Sequence, residues 1–193
     1  GGQAAFLQRF ITDNFGKQFA QPLTDLLMKF YQLGTIRKPE LMDREWALSL
    51  TPQRAAELRH EYQDLLDREA SLFEAIPVNL RDAYTELVGF PSQVLGDAGL
   101  IFMADRQVQA NNDVAHNEEL IMRLRHNLEA EVKNYNTNVA GAKWNHIMPG
   151  LVTGRNLMAW NSQVRWPWGE KKSAVKTKTD TSSAGNVWRA AAT

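Results

Sequence analysis

The chain has no cysteine among its 193 residues, which excludes disulfides and thiolate metal sites. It also lacks an excess of either charge, with 22 Lys and Arg against 22 Asp and Glu. Proteins that hold nucleic acid mainly by neutralising phosphates carry a basic surplus, so no nucleic-acid partner is expected. No apolar run approaches the roughly 18–20 residues of a bilayer-spanning helix, so no membrane partner is expected. The opening GGQAAFLQRF has no signal-peptide pattern. It has no initiator Met, the leading Gly-Gly reads as a cloning remnant, and the chain reads as a piece of something longer. Sustained period-two alternation is missing, which argues against a sheet. Glycine-rich phosphate loops, dinucleotide fingerprints and Ser nucleophile motifs are missing as well, so no cofactor is expected.

What is present is 44% hydrophobic and 23% charged, a balance that suits one globular domain with a tail. Residues 15–33 place Phe19, Leu23, Leu26, Leu27, Phe30 and Tyr31 at helical spacing on one apolar face. Pro22 inside that pattern marks either a fresh helix start or a kink, and Gly34 offers a stop. A short helix over 4–13 precedes it. Residues 35–50 read as a connection with one turn of helix around Glu40–Trp46. Thr51-Pro52 is an N-cap followed by Pro at the first helical position. The run after it carries Leu58, Tyr62, Leu65, Leu66, Leu72 and Phe73 in register up to Pro77. Glu57, Arg59, Glu61, Asp67, Arg68 and Glu69 read as its solvated face. Residues 78–106 are apolar nearly all round, as in the central helix of a bundle, with a kink expected near Phe90 because of Pro91. Residues 114–138 put Leu120, Ile121, Leu124, Leu128, Val132 and Tyr135 on one face.

These patterns predict an all-α fold: an antiparallel bundle of four to five helices with an irregular extended C-terminal tail. The bundle domain is expected over 3–150, and an extended segment and linker over 151–193. The end of the chain is basic, with Arg165, Lys171, Lys172, Lys176, Lys178 and Arg189 against Glu170 and Asp180.

Residues in patterns suited to chemistry are few. His60, His116, His126 and His146 form no i, i+4 pair, so no metal site is expected and the first three read as exposed helix histidines. Glu118 and Glu119, Glu129 and Glu131, and Glu57 and Glu61 read as charged helix surface rather than as a glycosidase pair. Two stretches remain. In RKPE, Arg37, Lys38 and Glu40 suit an ion-pair staple at a helix connection. In AGAKWNHIM, residues 140–148, Trp144 and Met148 suit a lid on the open end of the core, with a sugar-stacking role for Trp144 or Trp160 as the sharper reading.

At these stretches the sequence resembles the helical domain of glycoside hydrolase family 115, the xylan α-glucuronidases. The family carries a Tyr and RKPE after an early helix, here Tyr31 and Arg37-Lys38-Pro39-Glu40. Its central Y-x-x-L-V-x-x-P element is matched by Tyr84, Leu87, Val88 and Pro91. Its AN, YN and GGKW-x-H-M-M elements are matched by Ala110-Asn111, Tyr135-Asn136, and Gly141, Lys143, Trp144, His146 and Met148. Order and spacing agree over roughly 15–150. Ala142 stands where the family has its second Gly, and Ile147 where it has a Met. Beyond Met148 the family's aromatic Y-W-Q-Q-P element is replaced, with Trp160 and Gln163 as its nearest counterparts.

The resemblance implies a multidomain enzyme that removes glucuronic or 4-O-methylglucuronic acid from xylan, with its catalytic groups on a (β/α)8 barrel upstream and a β-sandwich downstream. This chain contains no barrel, so no catalytic residue is expected within it. It would support the barrel, form a homodimer or edge the cleft, with Arg37, Lys143, Trp144, His146 and Trp160 as cleft or domain-docking residues and glucuronoxylan as substrate of the intact enzyme. A periplasmic or secreted parent is implied. The alternative is a standalone helical protein-interaction module without hydrolase activity, and a third reading is an enzyme complete in itself with a helix-lined carboxylate site.

Overall fold

The computed structural model describes residues 2–143, and no strand occurs among them. The helices are α1 (Gly2–Phe15), α2 (Ala20–Ile36), α3 (Arg44–Ser49), α4 (Pro52–Ala75), α5 (Arg81–Tyr84), α6 (Phe90–Gln109) and α7 (Val114–Thr137). A π-helical turn, Thr85–Gly89, joins α5 to α6 without a break. With that unit counted as one, the bundle has five long helices and the short α3. The expected extended segment over 151–193 lies outside the described residues.

Local chemistry sets most boundaries. Gly16, at φ 101°, lets the chain leave α1 in a backbone region closed to L side chains. Pro22 falls in the first turn of α2, so the fresh-start reading holds and no kink is needed. Gly34 does not stop α2, which runs on to Ile36. The stop comes from Pro39, which disfavours helical geometry at Lys38; Arg37 and Lys38 are both extended. The expected single turn in the connection is two elements, a 3-10 turn at Pro39–Leu41 and then α3. Asp43 caps α3 by accepting from the Trp46 amide at 2.7 Å, and Thr51 Oγ1 caps α4 by accepting from the Arg54 amide at 3.1 Å. Pro91 sits just after the π turn. A proline ring has no N–H and crowds the carbonyl four residues back, and the wider turn over 85–89 accommodates it.

α6 is the hub: Leu95 through Asp105 are all buried, and α2, α3, α4 and α7 pack around it. The continuous helix 78–109 is long and apolar enough to cross a membrane, which the search for apolar runs did not anticipate, but 78% of its apolar window is buried against other helices. α4 and α6 run antiparallel, as their paired contacts show: Arg106 with Leu50, Gly99 with Tyr62, Gly96 with Leu66, and Gly89 with Glu69. The pair approaches closely because of two glycines. A Cβ on Gly99 would lie 2.5 Å from the ring of fully buried Tyr62, and one on Gly96 would lie 2.6 Å from Leu66. On the outer side, Leu7, Ile11 and Phe15 of α1 cover the buried leucines of α2. Tyr31, placed on the apolar face of α2 by its spacing, is instead 42% exposed.

Gly99 on this seam and Gly34 on α2 should respond to alanine in opposite ways. Gly99→Ala forces overpacking worth about 2–3 kcal/mol, so its melting temperature should fall by about 5–10 °C for a chain of this size. Gly34→Ala, where an added Cβ meets nothing within 4 Å, should stabilise by about 1 kcal/mol through helix propensity. Thermal unfolding followed by circular dichroism checks both.

Candidate functional site

Of the five residues singled out by sequence, Arg37 and Lys143 lie within the described residues; Trp144, His146 and Trp160 lie outside them. Arg37 is half-buried at the extended exit from α2. Its Nε donates to the Leu41 carbonyl at 2.6 Å, and its guanidinium pairs with Asp43 at 3.4 Å. The expected staple was Arg37, Lys38 and Glu40; the ion pair shown at this connection joins Arg37 to Asp43, outside RKPE. The next residue along extends it inward: Arg44 Nε donates to Asp105 Oδ2 at 3.0 Å, and Asp105 is almost fully buried on α6. Burial pushes the Asp105 carboxyl up, against the pull of Arg44 and Gln109. Beside this joint, Met28, Tyr31, Thr35, Lys38, Pro39 and Glu40 line an open groove of about 650 Å³.

Lys143 is exposed and ends a turn at the other end of the bundle. That turn is pinned by the Ala140 amide, which donates to Asp82 Oδ2 at 3.1 Å. The two joints are anchored at Asp82 and Asp105 of one continuous helix, a separation on the order of 35 Å at the helical rise per residue. Arg37 and Lys143 therefore belong to different surfaces. Ala140, Gly141 and Ala142 all have positive φ, at 49°, 66° and 64°. Tyr135 stacks on Phe90 just before this turn, with ring centroids 4.2 Å apart.

A second cleft, about 620 Å³, lies between α4 and α7 and is lined by Arg59, His60, Gln63, Asp113, His116 and Asn117. Sequence placed His60 and His116 on solvated helix faces. They are exposed, and the fold turns them into the same cleft. Arg59 Nη1 spans it to Asn117 Oδ1 at 3.2 Å, while Asn117 Nδ2 holds the carbonyls of Asn112 and Asp113. Among the described residues no group of three His, Asp or Glu side chains is placed to hold a metal ion.

The carboxylates depart furthest from expectation. Glu69, read as part of the solvated face of α4, is 3% exposed. It sits where α4 meets Gly89 of the π turn, and Gln93 Nε2 donates to its Oε2 at 3.3 Å. The Tyr84 hydroxyl donates to its main-chain carbonyl at 3.0 Å. Asp97, one helical turn beyond Gln93, is 6% exposed. Glu131 of α7 is half-buried rather than on an open charged face. Burial, then repulsion from Glu131 and Glu69, pushes Asp97 up to about 7. Burial also raises Glu69 and Glu131. One signal for Glu69 was available: it continues the Leu58, Tyr62, Leu65 register by the same three- and four-residue steps. Asp97 could be found only by taking literally a carboxylate inside an otherwise apolar run.

No family model matches the chain, and no curated protein matches it.

The Arg44–Asp105 pair yields a prediction with a definite pH sign. Arg44→Ala leaves Asp105 buried without its cation, which costs about 3 kcal/mol when the carboxylate is charged. Loss of the cation raises the folded-state pKa of Asp105 further above its unfolded value. The native state then binds more protons, so stability is present at low pH and lost as pH rises through the folded pKa. Denaturant titrations should therefore show a larger deficit near pH 8 than near pH 5.

Proposed function

We propose that this chain is a noncatalytic helical domain of a multidomain glycoside hydrolase similar to the xylan α-glucuronidases. It would buttress a catalytic barrel upstream, connect to a β-sandwich downstream, and offer its exposed joints to the barrel, to the edge of the cleft or to a second copy. The intact enzyme, acting on glucuronoxylan, would work in the periplasm or outside the cell. The observation that carries this reading is the backbone at residue 142. The family has a glycine there, this chain has Ala142, and the residue adopts φ 64°, a conformation glycine takes without penalty.

The other motif residues fit the same reading because they occupy joints. Tyr84 bonds to α4, and Val88 and Pro91 belong to the π turn and the helix start after it. Asn111 turns the chain between α6 and α7 at φ 55°. Tyr135 stacks on Phe90, and Arg37 staples the exit from α2. The groove bordered by Tyr31, Lys38 and Glu40 lies open on the surface beside the Arg37 joint, where another domain would dock. Glu69 and Asp97 lie within helix–helix contacts, whereas glycosidase carboxylates face each other across a sugar cleft.

Two measurements test the reading. The coding sequence on both sides of this segment should encode an α/β region and a barrel upstream; a start codon immediately before it and a stop immediately after would favour a standalone interaction module. Aldouronic oligosaccharides should lose glucuronic acid to the intact protein and not to this chain alone. Release by the chain alone would favour the self-contained enzyme. On stability, Ala142→Gly should gain about 1 kcal/mol by removing a left-handed alanine, read as a raised denaturation midpoint.

A further inference from the structure

Arg59 stands apart from the other arginines of α4. Arg54 pairs with Glu57 and Glu61, and Arg68 pairs with Asp64. Arg59 is half-buried, and its bond across the second cleft goes to a carboxamide oxygen, Asn117 Oδ1, at 3.2 Å. Asn117 is 2% exposed and is fixed in turn, because its Nδ2 donates to the carbonyls of Asn112 and Asp113 at 3.1 and 3.0 Å. A neutral partner thus sets the guanidinium in place and leaves its charge uncompensated. Its other N–H groups make no further bond among the described residues, in the fork geometry that receives a carboxylate.

The side chains around Arg59 offer donors and acceptors in turn. Gln63 Nε2 is spent on Asp67, which leaves its Oε1 as an acceptor, and Gln107 Oε1 is spent on Asn112, which leaves its Nε2 as a donor. His60 and His116 add imidazole nitrogens from α4 and α7. Among the described lining residues Asp113 is the one acid, and none is Phe, Tyr or Trp, so a stacked or apolar ligand finds no partner there. Arg59 and Asp113 balance in formal charge, which disfavours a multiply charged anion. A singly charged carboxylate that also carries hydroxyl groups matches both: the carboxylate accepts from the guanidinium, and hydroxyls donate to Asp113. We propose that the cleft between α4 and α7 binds a small hydroxylated carboxylate, a sugar acid, with its carboxylate on Arg59 and its hydroxyls shared among His60, His116, Gln63, Gln107 and Asp113. The cleft, about 620 Å³, is of the size that takes small molecules. The class follows from the lining residues; glucuronate as its member rests on the functional reading above.

The test titrates the whole isotope-labelled chain with sodium D-glucuronate at fixed pH and ionic strength, followed by nuclear magnetic resonance of its amide and imidazole signals. Signals of Arg59, His60, His116 and Asn117 should move together, with a dissociation constant of about 1 mM, ordinary for a ligand of this size in an open cleft. Arg59→Ala should weaken binding about tenfold. Should Arg59→Ala fail to fold, because it strands Asn117 Oδ1, the double variant His60→Ala, His116→Ala decides by the same titration: both side chains are exposed, binding should weaken several-fold, and unchanged binding overturns the site. Inorganic phosphate should move the same signals less; phosphate binding as tightly as glucuronate overturns the sugar-acid assignment. No movement with about 20 mM glucuronate, galacturonate or gluconate, or movement that Arg59→Ala leaves intact, overturns the site. Galacturonate or gluconate bound in preference to glucuronate supports the cleft and counts against the glucuronidase reading, so the two fail separately.

Discussion

Close contact between α4 and α6 organises the rest of the bundle. It depends on Gly96 and Gly99, which leave room for Leu66 and for the ring of Tyr62 where any Cβ would collide. Once the two helices meet there, antiparallel register carries the match along both. Toward one end it brings Arg106 to the Leu50 carbonyl, and toward the other it brings Tyr84 to the Glu69 carbonyl. The cost is that whatever α4 carries on this seam goes inside, including Glu69. Tyr62 shows the same pressure: its hydroxyl is buried without a hydrogen-bond partner, a cost that close packing offsets.

The polar side chains of the bundle then fall into two kinds. At the α2 exit they form a chain of charge-assisted bonds, from Arg37 to Asp43 and from Arg44 to Asp105, which tie an irregular connection to the central helix. Each acid there has a cation. Between α4, α6 and α7, Glu69 accepts from Gln93, and burial raises Glu69, Asp97 and Glu131 above their ordinary values. The first arrangement makes a rigid joint.

The functional reading and the fold meet at the joints. Among the described residues, Asn111 turns the chain, Val88 lies in the widened turn of the central helix and Tyr135 stacks one helix on another. The left-handed backbone at Ala142 marks another such joint, after the end of α7.

Periodicity, Thr51-Pro52, Pro22 and Pro39 were sufficient to read an all-α bundle and most helix boundaries, because propensity, capping and proline geometry act within a few residues. The same local logic misjudged what depends on partners. Glu69 and Glu131 look like surface charge until α6 covers them, and Tyr31 looks like core until α2 turns that edge outward. Gly34 looks like a stop, yet α2 runs through it until Pro39 prevents it. His60 and His116 share a cleft only because α4 and α7 flank the same end of α6. Sequence determined which segments are helical and which faces are apolar, since those are properties of one helix. Tertiary structure decided which charges are buried and which side chains meet, because desolvation and close approach are properties of two helices in contact.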